Sequence, residues 1–230
     1  MADSYEEADK PPKFKRHKDY DYLLFTNLDP SLFDTSWTVT QIENKYIDNC
    51  PSNIIKSRYI KFMGWEYLPK ALGKCYDTII YCDATRVPTY KFNWEQLGED
   101  AQTHGLVQKK HIRNAWQECR RLKRLPHKDS PQRINAVTDW FNSHDFPRGL
   151  LMPENCFFAY DPNNASVTSA FNSFWELFVT DITNRDQPLW SYFLWKHELK
   201  PLIYSDAQWR ACFSLIMRKS IGFNGHRHNT

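Results

Sequence analysis

Two stretches of this chain carry residue types that could do chemistry on a phosphate-bearing ligand. The first is Tyr76-Asp77-Thr78-Ile79-Ile80-Tyr81-Cys82-Asp83-Ala84, followed by Pro88. Its β-branched and aromatic residues predict a buried strand that stops in a carboxylate. Ligands of open α/β sheets sit outside the carboxyl ends of the strands, so Asp83 is placed to meet a ligand or its metal ion. A turn-starting aspartate is the plain alternative. The second is Arg58 and Lys61, three residues apart on a predicted helix and therefore neighbours on its surface. Side by side they could clamp a phosphate, or they form an ordinary solvated face.

The elements that must position these groups follow one another as strands and helices. Residues 1 to 18, acidic then basic with Pro11-Pro12, are expected to be a flexible lead-in. A strand over 20–27 ends at Asp29-Pro30, and a weaker one covers 37–42. Ser52 caps a helix with Ile55, Tyr59, Phe62 and Trp65 along one face. A short helix over 94–97 precedes a strong one over 111–125. In the latter, Ile112, Ala115, Cys119 and Leu122 keep helical spacing, and Arg113, Arg120, Arg121, Lys123 and Arg124 make the other face basic. A helix over 131–141 starts at Ser130-Pro131. A strand over 156–160 leads to a helix over 165–182, where Val167, Phe171, Phe174, Phe178 and Ile182 recur every three or four positions. An aromatic helix over 189–198 and a strand over 201–204 follow. Trp209, Phe213 and Ile216 then keep helical spacing, and residues 222–230 are expected to be irregular. This alternation predicts one α/β domain over 19–221, with a mostly parallel central sheet and helices on both faces.

Composition sets the bounds. A chain of 230 residues can bury a real core, and its charge of +3 is too small to argue by itself for nucleic acid. It is compatible with an anionic ligand such as a nucleotide diphosphate. Trp (9), Tyr (12) and Phe (15) are plentiful, which suits either an aromatic core or a groove that stacks sugars or bases. The six cysteines show no CxxC pair and no zinc spacing, so they read as reduced thiols and point to the cytoplasm. The N-terminus lacks the apolar stretch of a signal peptide, and no apolar run reaches membrane-spanning length. Asn164-Ala165-Ser166 is a formal glycosylation sequon, read as chance in a chain without a secretion signal.

Dinucleotide-binding and phosphate-loop fingerprints are both absent, as is a serine-nucleophile elbow. Several separated pieces nevertheless line up. Lys56-Ser57-Arg58-Tyr59-Ile60-Lys61-Phe62, the strand ending in Asp83, His111-x-Arg113 ahead of Glu118, and Arg185-Asp186-Gln187 resemble a glycosyltransferase-like family. It is typified by plant proteins of seed-mucilage and pollen-wall assembly, with soluble relatives among bacteria and the large viruses of chlorella algae. Gln132, Gly149 and Pro153-Glu154 fall at further marked positions, and the resemblance spans roughly residues 20 to 205.

The resemblance implies a single GT-A-type domain that moves a sugar from a nucleotide donor, UDP-linked in the expected case, to a glycan hydroxyl such as that of a viral capsid glycan. Such folds hold a divalent cation, manganese or magnesium, with an Asp-x-Asp motif. Here Asp83-Ala84-Thr85 supplies one Asp where two are expected, so metal dependence stays open. The leaving diphosphate could be neutralised by a cation on Asp83 or by Arg58, Lys61, His111 and Arg113, with Arg185 and Gln187 also on the donor side. Asp186 is the candidate base for an inverting transfer, with helix N-cap as its other reading. Trp190 and Trp195 are candidate acceptor-stacking residues, against core packing. His226 and His228 could reach a metal or phosphate, or belong to an irregular end. Two other functions compete: a nucleic-acid-binding module using the basic segment 109–133 around Trp116, and a degenerate transferase that only binds glycans.

Overall fold

The computed structural model describes residue 11 and residues 13–215. Strands β1 (Leu23–Thr26) and β2 (Thr38–Gln41) pair in parallel as a small sheet. Six more strands follow: β3 (Ile79–Cys82), β4 (Arg86–Pro88), β5 (Leu106–Asn114), β6 (Leu151–Tyr160), β7 (Leu202–Tyr204) and β8 (Phe213–Leu215). β3, β6, β5 and β7 form the central sheet in that spatial order, while β4 and β8 make an antiparallel ribbon. The helices are α1 (Asn53–Lys56), α2 (Tyr59–Leu72), α3 (Trp94–His104), α4 (Ala115–Leu122), α5 (Pro131–Ser143), α6 (Ala165–Phe178), α7 (Asp186–Lys196) and α8 (Asp206–Cys212).

The protein is thus mixed α/β, and its central sheet differs from a mostly parallel one. β6 pairs antiparallel with both β3 and β5, and only β5 and β7 pair in parallel. β3, β5 and β7 therefore share one direction, and β6 is inserted against them. The cause is the connection: α4 and α5 return the chain to the far end of β5, so β6 runs back beside it.

Helices cover both faces because β6 alternates, as the strand period of two requires. Phe158 and Tyr160 enter the larger core with Phe62 of α2, Phe171 and Phe174 of α6 and Trp190 of α7. Phe157 and Ala159 enter a smaller core with Leu97 of α3 and Trp209 of α8. Gly105 makes the junction ahead of β5 possible. Its φ is +74°, and a Cβ there would lie 2.6 Å from Nδ2 of Asn164, whose Oδ1 caps α6. The sequon asparagine is therefore a helix cap.

Several expected boundaries move. The strong helix begins at Ala115, not 111, because Asn114 and Gln117 form a reciprocal capping box that leaves His111, Ile112 and Arg113 in β5. α6 stops at Phe178, before a left-handed Asp181, and α7 begins at Asp186, ahead of the expected 189. α3 runs on to His104, β6 starts at Leu151, and Phe213 opens a strand where helical spacing had suggested a continuing helix. Part of the expected lead-in is packed: the Phe14 ring lies 5.1 Å from both Tyr22 and Trp37, and its N–H donates to Ser36. The irregular tail, with His226 and His228, lies outside the described residues. No described helix is long and apolar enough to cross a membrane.

Candidate functional site

The carboxyl ends of β3, β5 and β7 open on one edge of the central sheet, and charged side chains from distant segments meet there. Arg58 stands just before α2 and Lys61 lies in its first turn. Asp186 is the first residue of α7, with Arg185 in the cap position, so the N-cap reading of Asp186 is replaced by one in which its charge faces the positive end of the helix. Lys61 Nζ lies 2.7 Å from Asp186 Oδ2, and Arg58 Nε lies 3.6 Å from the same oxygen. Lys61 is only 3% exposed and Asp186 7%. The Lys61 ammonium also lies 5.1 Å from the centre of the Tyr81 ring.

Asp83, the residue after β3, completes this group. Its Oδ1 accepts a hydrogen bond of 3.0 Å from Tyr81, and its backbone N–H donates to Cys156 of β6. Burial opposes charge on Arg58, but Asp186, Tyr81 and Asp83 outweigh it and hold the guanidinium above its usual pKa. Burial and the Asp83 carboxylate raise the Tyr81 phenol well above its usual value, so it stays a hydrogen-bond donor. At Asp186 burial pushes upward, yet Lys61, Arg58 and, more weakly, Arg185 prevail and bring it to about 2. The arrangement is a buried ion cluster with cations and carboxylates from three elements.

The loop before α7 is held by a residue that sequence patterning passed over. Asp129 is 3% exposed, and its Oδ2 accepts from Thr183 Oγ1 at 2.6 Å and from the Asn184 N–H at 2.9 Å. Oδ1 accepts from the Ser130 N–H, and Arg133 bridges Asp129 and Asp181. A lone aspartate ahead of a helix cap carries no local sign of such a role. Gln187 is a further tie, its Nε2 donating to the Pro153 carbonyl at the start of β6.

His111 and Arg113 belong to a second cluster. The Arg113 N–H donates to His111 Nδ1, and Arg113 lies 3.7 Å from Glu118, which Arg121 also engages through both oxygens. Burial opposes ionisation of Glu118, but Arg121, His111 and Arg113 lower its pKa. At Lys128, burial and the charges of Arg121 and Arg185 lower the pKa.

Neither acceptor candidate presents a ring to this edge. Trp190 is fully buried, with its Nε1–H donating to Gln108 Oε1 at 3.0 Å and its ring stacked on Phe171, so it has no face for a sugar. Trp195 is half-exposed but lies at the opposite end of α7 from Asp186, about 14 Å away at the helical rise. Its neighbours are Phe146 and Tyr192.

Comparison with protein-family models, curated proteins and solved structures returned no match to this chain. The family resemblance stands on the motif residues alone.

Among the described residues, no three His, Cys, Asp or Glu side chains come together as a metal site. Asp83 offers one carboxylate whose other oxygen is free of Tyr81. That is the least a magnesium or manganese ion needs when a bound diphosphate supplies further ligands. Neighbouring thiols do not add to it. Burial and Asp83 raise Cys82, and burial, Asp83 and Glu154 push Cys156 up to about 12, so both remain protonated.

Proposed function

We propose that the chain is a glycosyltransferase that binds the diphosphate of a nucleotide-sugar donor at Arg58 and Lys61 and uses Asp186 in the transfer. The observation that carries this reading is the convergence of Arg58, Lys61, Asp83 and Asp186 at one sheet edge. These residues come from three of the four segments behind the family resemblance. A GT-A-like domain is part of the same proposal.

The chemistry follows from the ion cluster. In the unliganded protein Asp186 is too acidic to be an effective base, because an efficient base has a pKa near the working pH. Diphosphate oxygens compete with Asp186 for Lys61 and Arg58. Each cation drawn away raises the carboxylate towards the range where it can accept a proton. The acceptor hydroxyl then gives its proton to Asp186, its oxygen bonds the anomeric carbon, and the bond to the diphosphate breaks. Arg58 and Lys61 meet the charge that develops on the leaving group, in a site shielded from water. A divalent cation held by Asp83 would supply further neutralisation of the diphosphate. Arg185 extends the positive field, while Gln187 holds the start of α7 to β6.

Titration with uridine and guanosine diphosphates and their sugars tests the reading. Saturable binding to one nucleotide is expected, and Arg58→Gln should weaken it about tenfold while Lys61 still pairs Asp186. Donor turnover, followed by nucleotide release with and without a chelator, then reports on Asp83. Absence of saturable binding to every nucleoside diphosphate would remove the proposal.

A further inference from the structure

The second half of β5 carries a deformation that the donor site does not explain. Between the pairs Lys110↔Pro153 and Asn114↔Leu151, four steps of β5 face two steps of β6, so two residues are extruded. Bulges of this kind re-aim side chains at the rim of a sheet. Ile112 is at the apex and is 80% exposed. Of the six large apolar side chains exposed among the described residues, three are together here: Ile112 and, on the strand facing it and the residue before, Leu151 and Leu150. Such clustering on one surface marks an interaction site, whereas scattered exposed apolar residues do not.

Arginines share a groove with Ile112. An open groove of about 560 Å³ is lined by Ile112, Arg113, Gln117, Arg120, Arg121 and Arg124. Arg148 lies over the Trp116 ring of α4, its guanidinium 4.5 Å from the ring centre. Arg120 and Arg124 are exposed and have no ion-pair partner among the described residues. The groove lining contains no aromatic ring on which a nucleic-acid base could stack, although stacking is a main source of single-strand affinity.

We propose that this bulge is a membrane-docking surface, which inserts Ile112, Leu150 and Leu151 among the lipids of an anionic bilayer while Arg120, Arg124 and their neighbours contact the headgroups. An anionic bilayer is the occupant that uses both halves of the patch. Apolar side chains gain from the acyl boundary, and cations gain from the negative surface potential. A soluble polyanion would use only the arginines. Docking is peripheral and needs no spanning helix. It would bring the chain to acceptors at a membrane surface, and it stands whether or not the transferase reading does.

Co-sedimentation of the full chain with phosphatidylcholine vesicles, with and without phosphatidylserine, tests this. Binding is expected only with phosphatidylserine and should fall as salt is raised. Ile112→Asp and Arg120→Glu with Arg124→Glu should each reduce partition about tenfold with unchanged circular dichroism, since these side chains support no packing. No sedimentation with phosphatidylserine overturns the proposal. So does sedimentation indifferent to Ile112→Asp. A single-stranded oligonucleotide bound with loss on charge reversal but not on Ile112→Asp would assign the arginines to a soluble polyanion instead.

Discussion

Lys61 and Asp186 are the residues on which most of the proposed chemistry turns, and their energetics are sharply asymmetric. A buried ion pair gains little over an apolar substitute, but removing one partner leaves the other charge uncompensated. Lys61→Met removes the nearer of the two cations on Asp186 and leaves Arg58 at 3.6 Å, so it should destabilise the protein by about 2–3 kcal/mol in urea unfolding, short of the cost of a fully unpaired buried charge. Asp186→Asn in the same background should restore part of that loss. The carboxylate also makes a pH prediction. Asp186 has a folded-state pKa of about 2 against an ordinary unfolded value near ~4. A depressed carboxylate contributes stability that is complete above the unfolded value and is lost as pH falls through the folded one. Wild type should thus lose about 2 kcal/mol more than Asp186→Asn between about pH 5 and pH 2, measured by denaturant midpoints at each pH. Equal losses in the two proteins would show that Asp186 is not the ion-paired group described. At this scale the sequence was informative where partners are close in the chain. Arg58 and Lys61 read as neighbours at once, but Lys61's contact with Asp186 is made across the fold and leaves no local periodicity.

The elements divide along the same line. α5 and α6 were legible because a single chain segment carries both the pattern and the burial it reports, as with Val167, Phe171, Phe174 and Phe178; β3 forms where expected, but at the edge of the sheet its four residues are half-buried, not buried. β5 was missed because its central run, Gln108-Lys109-Lys110, looks polar. Gln108 is fully buried, satisfied by the Trp190 and Asn155 side chains, and Lys109 pairs with Glu154 at 2.8 Å. Polar residues can occupy a central strand when every group finds a partner, and those partners lie far away in sequence. Trp190 follows its core-packing reading and not the acceptor-stacking one: its indole N–H donates to Gln108 inside the core. The loop before α7 gives this scale its prediction. Asp129→Ala strands the Thr183 hydroxyl and the Asn184 N–H, which should cost about 2–4 kcal/mol. Because that loop delivers Arg185 and Asp186, nucleotide affinity should fall with stability even though Asp129 touches no ligand. Asp129→Asn, which keeps one acceptor, should recover part of both in calorimetric titration and urea unfolding.

For the molecule as a whole, the question is whether the cores on the two faces of the central sheet melt together. β6 ties them, since Phe157 faces one cluster and Phe158 the other, and neither face can be stripped without exposing the same strand to water. The cysteines report on both sides. Cys119 is buried in the larger core and Cys212 in the smaller, and burial leads in pushing each thiol up to about 12. Cys75 is exposed, and no cysteine is in a disulfide. A maleimide should therefore modify Cys75 rapidly in native buffer, while Cys119 and Cys212 react only through opening of their cores. If the sheet couples its faces, Cys119 and Cys212 become reactive at the same urea concentration and with the same dependence on it, as two-state unfolding requires. Earlier labelling of Cys212 would mean instead that α8 and the β4–β8 ribbon open as a unit of their own. That outcome would separate the stability of the smaller face from the core beneath Lys61 and Asp186.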